Sequence, residues 1–482
     1  MYFTDFYFKE EKIPNWNETI NSNDELKSAI KVLKKINDLG YEALIVGGTP
    51  RDLLLGKEIS DVDIATSAPI QELEKHFKNH DIGKNKDFNV IVIDVDGYSF
   101  EVAAYRSDVY DDYSKGVGAT KTVIAKDFKS DSARRDFGMN SLGVDVDGNI
   151  KNHWGGVQDI QNKIVKAVGN PNDRFKEDMI RPLRAIRQAS KLGFSIDKDT
   201  LYSIKSQSAN IRKVANERVL KELWKMSEQT GEKFSQAIIM LKDVGLLQYI
   251  LPELLKLKDM KHSEIHHPEG ERDSENNPTV WGHTIEVLKS NKEPNALLNW
   301  CLLLHDLGKI NTYALSDKGT HSYHGHSEQS GKMVEEIGKR LKMDNDTISA
   351  IKWVSENHMK FFDILKMNNS TVATLVKSPY FDLLEKTAYC DAKSRGDSLF
   401  DQKEWDDIQE KIEKVRNMVK GKDIVDPVKK VINGALIMKL RPDIKQGIQF
   451  GKIIKDTIDY VLNNEIDIND TETIEKFIKD WK

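Results

Sequence analysis

The chain has 482 residues, 39% of them hydrophobic, and a formal net charge of −5, so its length predicts about three domains or one long multi-lobed body. No run of about 18 apolar residues occurs, and the aromatic, charged N-terminus lacks the basic-then-apolar order of a signal peptide, so no membrane contact is expected. The two cysteines, Cys301 and Cys390, argue against a disulfide framework and favour a reducing, cytoplasmic compartment.

The first elements of the chain alternate helix and strand. Residues 1–23 form a poorly patterned arm. Residues 24–39 predict a helix, because Leu26, Ile30, Leu33 and Ile36 recur at helical spacing and a glycine follows. The segment YEALIVGG then predicts a strand that runs into a glycine turn. PRDLLLG predicts a short helix opened by proline, and SDVDIAT predicts a second strand.

The middle of the chain marks a change of structural class. NVIVIDV and SFEVAAY predict a strand pair around Asp96-Gly97, and residues 107–133 are polar and rich in turns. Strand signals stop after about residue 152, and from Asn172 onward nearly every segment has helical period. The prediction is an α+β protein, with a small mixed α/β head followed by an elongated all-helical body.

Charge is unevenly distributed along this helical part. Residues 171–225 hold 13 Lys/Arg and 7 Asp/Glu, whereas the whole chain is acidic. A local basic surface on an acidic protein suits one defined phosphate-bearing partner. A solvated helical face would explain the same composition.

A pair of aspartates in the head is the first candidate catalytic feature. Asp61 and Asp63 are two residues apart on a predicted strand, so both carboxylates point to one face. Such a pair suits two Mg²⁺ ions, which would activate an RNA 3′-hydroxyl and stabilise the leaving pyrophosphate. A lone DxD usually marks a solvated turn. Here it follows Gly-Gly, Arg-Asp and Leu-Gly in close order, which favours nucleotidyl transfer.

Residues around this pair complete the predicted site. Gly47 and Gly48 would let a triphosphate approach the backbone amides, and Arg51 would add charge-assisted hydrogen bonds. Glu101 lies in the apolar strand segment FEVAAYR and is a candidate third metal ligand. The alternative for Glu101 is a solvent-facing carboxylate on a strand.

Four later segments extend this pattern in the order of a known family. The head resembles class II CCA-adding enzymes and bacterial poly(A) polymerases, in the polymerase-β-like nucleotidyltransferase superfamily. ARRDFGMNSL resembles the family's RRDF-x-x-N-A motif, HWGGVQDI its hinge, EDMIRPLRAIR its EDxxR motif and NERVLKEL its neck motif. Two departures stand out. The first motif reads GGTPRD, where a β-branched residue usually precedes Arg-Asp, and Gly138 replaces the usual Thr.

The resemblance implies a nucleotide-binding set beyond the two glycines and Arg51. Its members would hold the sugar, triphosphate and base of the incoming nucleotide. They are Arg134, Arg135, Asp136, Asn140, Asp178, Arg181, Arg184 and Arg187.

Within the EDxxR segment, two side chains suggest how a base is chosen. Asp178 and Arg181 are three apart on a predicted helix and would be neighbours on one face. An acceptor beside a forked donor can read the Watson–Crick edge shared by C and A, and can reject U and G. The alternative is an ordinary i,i+3 salt bridge.

A second set of ligand-type residues lies far along the chain. The order H…HD…H…H…D resembles the HD phosphohydrolase superfamily, and HHPEG (266–270) resembles bacterial CCA-adding enzymes that carry this domain. By that resemblance one divalent metal is held by the minimal set, and a second metal by two further histidines, with Asp306 bridging. Mixed imidazole and carboxylate ligands suit Mn, Fe, Ni, Zn or Mg, which would lower the pKa of a water for attack on phosphorus. The minimal set is His283, His305, Asp306 and Asp391, and the further histidines are His326 and His358.

These observations together predict an enzyme that adds CCA to the 3′ end of tRNA from CTP and ATP, and whose HD site hydrolyses phosphate esters. The alternatives are a poly(A) polymerase, a CC- or A-adding enzyme, and an HD phosphohydrolase whose head only binds RNA. The expected divisions are an arm (1–23), a nucleotidyltransferase head (24–152), a helical neck and RNA-binding body (153–265), an HD domain (266–397) and a helical tail (398–482).

Overall fold

The computed structural model describes residues 12–80, 89–109, 121–261, 270–315, 321–396, 398–419, 431–444 and 447–481. Most of HHPEG, the first eleven residues of the predicted arm and part of the 107–133 segment lie outside these ranges. The chain divides into two compact units, one of Met1–Gln229 with Lys233–Leu255 and one of Thr230–Glu232 with Lys256–Lys482. The finer division into five parts stays a prediction.

The first unit is built on a seven-stranded sheet of order β3-β4-β5-β2-β1-β8-β9. Strands β2 and β5 run parallel, whereas β1 pairs antiparallel with both β2 and β8. Strands β6 and β7 form a separate antiparallel ribbon, and β10 and β11 a short parallel pair. The strands are β1 (Ala43–Val46), β2 (Asp63–Thr66), β3 (Asn79–His80), β4 (Val90–Val95), β5 (Tyr98–Ala104), β6 (Arg106–Val109), β7 (Lys121–Ile124), β8 (Gly143–Val144), β9 (Ile150–Lys151), β10 (Ile164–Val165) and β11 (Ser195–Ile196).

Helices surround this sheet and continue beyond it. Those up to residue 256 are α1 (Trp16–Asn21), α2 (Asp24–Asp38), α3 (Thr49–Leu54), α4 (Ile70–His76), α5 (Phe128–Ala133), α6 (Gly156–Gln161), α7 (Pro171–Glu177), α8 (Arg181–Leu192), α9 (Lys198–Gln207), α10 (Asn216–Ser227), α11 (Gly231–Asp243), α12 (Leu247–Ile250) and α13 (Pro252–Lys256).

Helix α2 shows how the head assembles its core. The four apolar residues predicted to share one face are all buried, and the helix packs on β1, β2, β4 and β5. The Asn23 side chain caps its start by accepting from the Leu26 N–H at 2.8 Å. The helix ends just before Gly40, whose φ of +85° suits glycine. The predicted helix is thus confirmed.

The strand predictions hold in part. Val95 pairs with Tyr98, and Asp96 and Gly97 between them have φ of +53° and +86°, as a tight hairpin turn requires. Strand β2 begins only at Asp63, so the predicted strand SDVDIAT is shorter than expected. Strands β10 and β11 lie beyond residue 152, where no strand was predicted, because a two-residue strand is too short to leave a period in the sequence.

The second unit is helical apart from one short hairpin, as far as the described residues extend. Helices α14, α15, α18 and α20 pack against one another, and α17 lies along α18. The mixed α/β head and helical body predicted above are confirmed. The elements are α14 (Val280–Ser290), α15 (Ala296–Leu304), α16 (Lys309–Thr312), β12 (Ala314–Leu315), β13 (His321–Ser322), α17 (His326–Leu341), α18 (Asn345–Phe361), α19 (Asn369–Val376), α20 (Phe381–Lys393), α21 (Gln402–Val419), α22 (Gly434–Leu440), α23 (Ile448–Asn463) and α24 (Thr471–Asp480).

Two predictions from composition can be compared with this structure. Of the helices in the described ranges, none combines the length and apolar character that crossing a membrane demands. Cys301 and Cys390 are both buried and carry free thiols.

Candidate functional sites

Three carboxylates lie near the start of β2, on or beside two interior strands of the head sheet. Asp61 lies in the loop before β2, Asp63 begins β2, and Glu101 lies on the parallel neighbour β5. Burial, together with the charges of Glu101 and Asp61, raises the pKa of the Asp63 carboxyl, although Arg135 opposes the shift. Carboxylates that repel one another in this way favour a bound cation.

The glycine turn before α3 fits closely against these carboxylates. Gly47 has a φ of +79°, and a Cβ added to it would lie 2.8 Å from Asp63 Oδ2, so glycine is required both for the backbone and for the space. The Thr49 hydroxyl donates to the backbone carbonyl of Asp61 and ties the acidic loop to the turn. The sequence singled out the glycines but not this threonine.

A cleft of about 760 Å³ opens beside the turn within the first unit. Eleven basic and five acidic side chains line it, and this excess of positive charge suits a polyanionic ligand. The predicted residues that line it are Gly47, Gly48, Arg51, Asp63, Arg134, Arg135, Asp136, Asn140, Asp178, Arg181, Arg184 and Arg187.

Arg51, predicted to bind the phosphates directly, is hydrogen-bonded to protein groups in this structure. Its guanidinium is buried and makes two hydrogen bonds to Asp52, at 2.9 and 2.8 Å. It also donates through Nη1 to Asn140 Oδ1 at 2.7 Å. Because the neighbouring aspartate already takes up its charge, Arg51 supports Asn140 in this conformation.

Asp131 organises the two arginines of the RRDF segment. It is 1% exposed, and its Oδ1 accepts from Arg134 Nε and Nη2 at 3.1 and 3.0 Å. Its Oδ2 accepts from Arg135 Nη2 at 3.3 Å, while the buried Nε of Arg135 has no hydrogen-bond partner in the described structure. Asp131 was missed from the sequence, although its spacing of three and four residues from the arginines was a usable signal.

Two further ion pairs position the arginines of α8. Arg184 donates to Asp136 Oδ2 through Nε at 2.7 Å and lies 2.6 Å from it through Nη2. Burial alone would raise the pKa of Asp136, but the charge of Arg184 holds it below its ordinary value. Glu222 on α10 is 6% exposed and accepts from Arg187 Nε at 2.6 Å. Glu222, which the sequence did not single out, therefore connects α8 with α10.

The EDxxR segment departs from the single helix predicted for it. Asp178 follows α7 in extended conformation, with φ of −152°, and Arg181 opens α8. The i,i+3 salt bridge considered as the alternative does not form between these two described residues. Instead, Arg181 Nη1 donates to Glu177 Oε2 at 2.5 Å, and Asp178 Oδ2 accepts from Arg218 Nη2 at 2.7 Å. Pro182, which lacks an N–H, is placed in the first turn of a new helix, where it costs no hydrogen bond.

Gly138, which stands where the related motif usually has Thr, packs tightly against the segment that contains Gly156 and Asp159. A Cβ added to Gly138 would lie 2.3 Å from Asp159 Oδ2, and one added to Gly156 would lie 2.1 Å from the Gly138 carbonyl oxygen. Asp159 Oδ2 is buried without a hydrogen-bond partner in the described structure. Burial raises the pKa of Asp159 to about 6.

Asp306 is the centre of a buried cluster in the second unit. Its Oδ2 lies 3.3 Å from His305 Nε2 and 3.6 Å from His283 Nε2. Its Oδ1 lies 3.3 Å from His326 Nε2 and 3.5 Å from His358 Nε2. The ligand atoms form two groups, each within 4.8 Å, that share Asp306, which matches the predicted bridging arrangement. In the described structure, the head carboxylates form no group this tight.

The backbone fixes the orientation of three of these imidazoles. Each Nδ1 lies within hydrogen-bond distance of a carbonyl oxygen three residues earlier, which can only accept, so Nδ1 carries the proton and a neutral ring turns the lone pair of Nε2 inward. The Nε2 atoms of two of the rings are 3.1 Å apart, a spacing that suits two ligands of one metal at about 2 Å each. The contacts are His305 to Leu302 at 2.9 Å, His326 to Tyr323 at 2.8 Å and His358 to Ser355 at 2.7 Å.

The remaining cluster atoms also fit a cation. His305 Nε2 and Asp391 Oδ1 are buried and have no hydrogen-bond partner in the described residues. His283 Nε2 lies 3.3 Å from that Asp391 oxygen, and burial lowers the pKa of His283, which favours the neutral ligand form. Lys309 donates to Asp306 Oδ2 at 2.7 Å. Burial alone would raise the pKa of Asp306, but Lys309 and His305 hold it well below its ordinary value.

Three family models match successive parts of the chain. Residues 43–166 match the model of the poly A polymerase head domain. Residues 193–257 match the probable RNA and SrmB-binding site of polymerase A, and residues 280–388 match the HD domain.

The relatives and the solved structure described next are all CCA-adding enzymes. The CCA-adding enzyme of Lactobacillus johnsonii is 32% identical over 283 residues, covering 58% of this chain and 69% of the relative. That of Staphylococcus epidermidis is 34% identical over 248 residues, covering 51% of this chain and 60% of the relative. The solved CCA-adding enzyme of Bacillus stearothermophilus in complex with CTP shares the fold, with a TM-score of 0.67 at 21% identity over 95% of this chain and 97% of that one.

Proposed function

Because the chain belongs to the family of CCA-adding enzymes, we propose that it adds CCA to the 3′ end of tRNA from CTP and ATP. The observation that carries this proposal is the strongly basic cleft of the first unit, which is lined by Asp63, Asp178 and Arg181. The fold also resembles a Thermotoga maritima CCA-adding enzyme solved with tRNA, at a TM-score of 0.59 and 16% identity over 97% of this chain and 98% of that one. We place the protein in the cytoplasm, where tRNA is matured.

We assign Asp61, Asp63 and Glu101 as ligands of two Mg²⁺ ions, whose charge when bound would activate the RNA 3′-hydroxyl and stabilise the pyrophosphate that leaves. The raised pKa of the Asp63 carboxyl supports this assignment, because burial and the charges of Glu101 and Asp61 all disfavour its ionised form, which a cation would stabilise. Because Gly47 has no Cβ, the Asp63 carboxylate can lie directly beside the turn. Arg135, whose Nε is buried and unpaired in the described structure, faces the same region and would bind a phosphate oxygen.

Base choice is assigned to Asp178 and Arg181, each held by a partner of its own. Arg218 holds the Asp178 carboxylate, which would accept from the exocyclic amine that C and A both possess. Glu177 holds the Arg181 guanidinium, which would donate to the ring acceptors that C and A share. Lysines 191, 221 and 225 add positive charge to the same cleft and would contact the RNA backbone, as duplex RNA is usually bound through phosphates and shape.

The proposal is tested by incubating the protein and Mg²⁺ with tRNA that lacks part or all of CCA, supplying each nucleoside triphosphate in turn and sequencing the 3′ ends. We expect C, C and A in that order from the wild type. Asp61→Ala and Asp63→Ala variants should lose addition by roughly a thousandfold or more. Runs of A would identify a poly(A) polymerase, and CC or A alone a partial enzyme. No addition by a folded wild type would refute the proposal.

We further propose that the histidine cluster hydrolyses phosphate esters, with 2′,3′-cyclic or 3′-phosphate RNA ends as substrates that would otherwise block addition. His283, His305, His326, His358, Asp306 and Asp391 would hold two divalent metals, which when bound lower the pKa of a water. The Nε2 atoms of His305, His326 and His358, which face the Asp306 carboxylate, support this assignment. Water would add across the P–O bond, and the leaving oxygen would take the proton.

The double substitution of His305→Ala with Asp306→Ala tests this second site. Wild type and variant are assayed on 2′,3′-cyclic AMP and p-nitrophenyl phosphate with Mg²⁺, Mn²⁺, Ni²⁺ and Zn²⁺, and on truncated tRNA with Mg²⁺. We expect the variant to lose hydrolysis and keep CCA addition. Absence of hydrolysis by the wild type with every metal refutes the second activity. Joint loss of both activities in a folded variant refutes the independence of the two sites.

A further inference from the structure

A cluster of three aromatic rings lies beside the paired strands β12 and β13 of the second unit, and one of the three is exposed. Tyr313 is 47% exposed, and its ring centroid lies 5.6 Å from that of His321 and 5.8 Å from that of Tyr323. Its hydroxyl is 3.0 Å from His321 Nδ1, and the Tyr323 hydroxyl donates to the Lys261 carbonyl at 2.5 Å. The rings are therefore held in position by their polar edges while the Tyr313 ring is exposed to solvent.

This aromatic cluster adjoins the histidine cluster through two direct links. The Tyr323 carbonyl accepts from Nδ1 of the candidate metal ligand His326. Lys309 donates to Asp306 and also lies 5.6 Å from the centroid of the Tyr323 ring. A molecule whose phosphate reached Lys309 and Asp306 would thus lie near the Tyr323 ring, with the Tyr313 ring beside that one.

We propose that Tyr313, His321 and Tyr323 bind the nucleobase of the substrate whose phosphate lies at the histidine cluster. The inference rests on the hydrolytic activity proposed above and adds a base-binding subsite to it. Every nucleobase presents a flat π face that stacks on aromatic rings, so the platform would accept an RNA 3′ end of any sequence. The chemistry distinguishes a nucleotide from a simple sugar phosphate, which would gain nothing from the rings.

The Lys309 position agrees with a nucleotide rather than a purely apolar ligand. Its ammonium lies between the carboxylate of Asp306 and the Tyr323 ring, so a positive charge separates the metal-binding cluster from the platform. A phosphate attached to the base by a ribose would meet this charge.

The platform is tested with Tyr313→Ala on two substrates, 2′,3′-cyclic AMP and β-glycerophosphate, which has no base. Stacking losses correspond to roughly a 5- to 100-fold rise in KM for the nucleotide, with kcat nearly unchanged and β-glycerophosphate hydrolysis unaffected. Tyr313→Phe keeps the ring and should restore nucleotide affinity. Leu315→Ala, which removes an exposed apolar neighbour on the same hairpin, is the matched control. Equal losses on both substrates, or no loss on either, would overturn the proposal.

A separate measurement covers the case in which the wild type hydrolyses neither substrate. The hydrolytic function is then wrong, and the platform is judged by equilibrium binding of 3′-AMP, with excess CTP and Mg²⁺ occupying the cleft of the first unit. Weaker binding by Tyr313→Ala but not by Leu315→Ala would still support a base-binding site. Identical binding by all three proteins would reject it.

Discussion

Gly47→Ala perturbs the head site through a single methyl group. The φ of +79° at this position costs an alanine about 1–2 kcal/mol. The added Cβ would also lie 2.8 Å from Asp63 Oδ2, whereas ordinary contacts begin at 3.4 Å. The carboxylate must therefore retreat by roughly 0.6 Å, and misplacing a catalytic group by about 1 Å can cost 100-fold in rate. We expect the unfolding free energy to fall by about 1–2 kcal/mol and CCA addition by roughly 10- to 100-fold.

Gly40→Ala separates these two effects. Gly40 has a similar φ of +85°, but nothing lies within 4 Å of its added Cβ. It should therefore lose similar stability and keep its activity. The assays are denaturant unfolding and single-turnover addition of CMP to truncated tRNA at a temperature where both variants are folded. If Gly47→Ala adds CMP within twofold of Gly40→Ala, the close approach to Asp63 has no catalytic meaning.

Three further outcomes follow from other parts of the structure. Arg218→Ala should relax base choice as Asp178→Ala does, because it removes the partner that orients the carboxylate; U and G misincorporation, measured by sequencing, should rise roughly tenfold, and unchanged selectivity in both variants would reject the assignment. Asp159 has its pKa raised to about 6 from 3.8, so its ionised form is disfavoured in the folded chain and stability is lost as pH rises through this interval. Asp159→Asn should therefore gain about 2 kcal/mol in urea unfolding at pH 7.5 and almost none at pH 4, and an equal gain at both values would contradict this. His358→Ala should reduce bound transition metal by about one ion per chain in elemental analysis, and unchanged metal content would exclude it as a ligand.

The sequence predicted secondary-structure elements and the types of ligand residue better than it predicted which side chains pair by hydrogen bonds. The helical period of α2 and the Asp96-Gly97 turn are local signals, and both predictions were confirmed. The cluster around Asp306 could also be predicted, because the order H…HD…H…H…D resembles a superfamily in which these residues form one metal site. The sequence did not indicate that Asp52 accepts from the Arg51 guanidinium, because residue order does not specify rotamers.

Two of the residues that the sequence missed act across longer separations, of 35 and 12 residues. Glu222 accepts from Arg187 and Thr49 donates to the Asp61 carbonyl, and neither contact has a recognisable spacing. The break between α7 and α8 was missed because Pro182 was read as part of a helix rather than of its first turn. Polar pairing depends on the packing of whole elements, so it appears only once the fold is known.

The tight packing at the hinge makes residue 138 dependent on residue 159. The related motif usually carries Thr where this chain has Gly138, yet any side chain there would meet the Asp159 carboxylate at 2.3 Å. A threonine at 138 would therefore require the Asp159 side chain to take another rotamer, because the clashing atom is the end of that side chain. The Trp154 carbonyl oxygen, 3.0 Å from the same added Cβ, limits the space further. The effect of a side chain at 138 is thus expected to depend on residue 159, and the family's usual threonine should be better tolerated together with Asp159→Ala than alone.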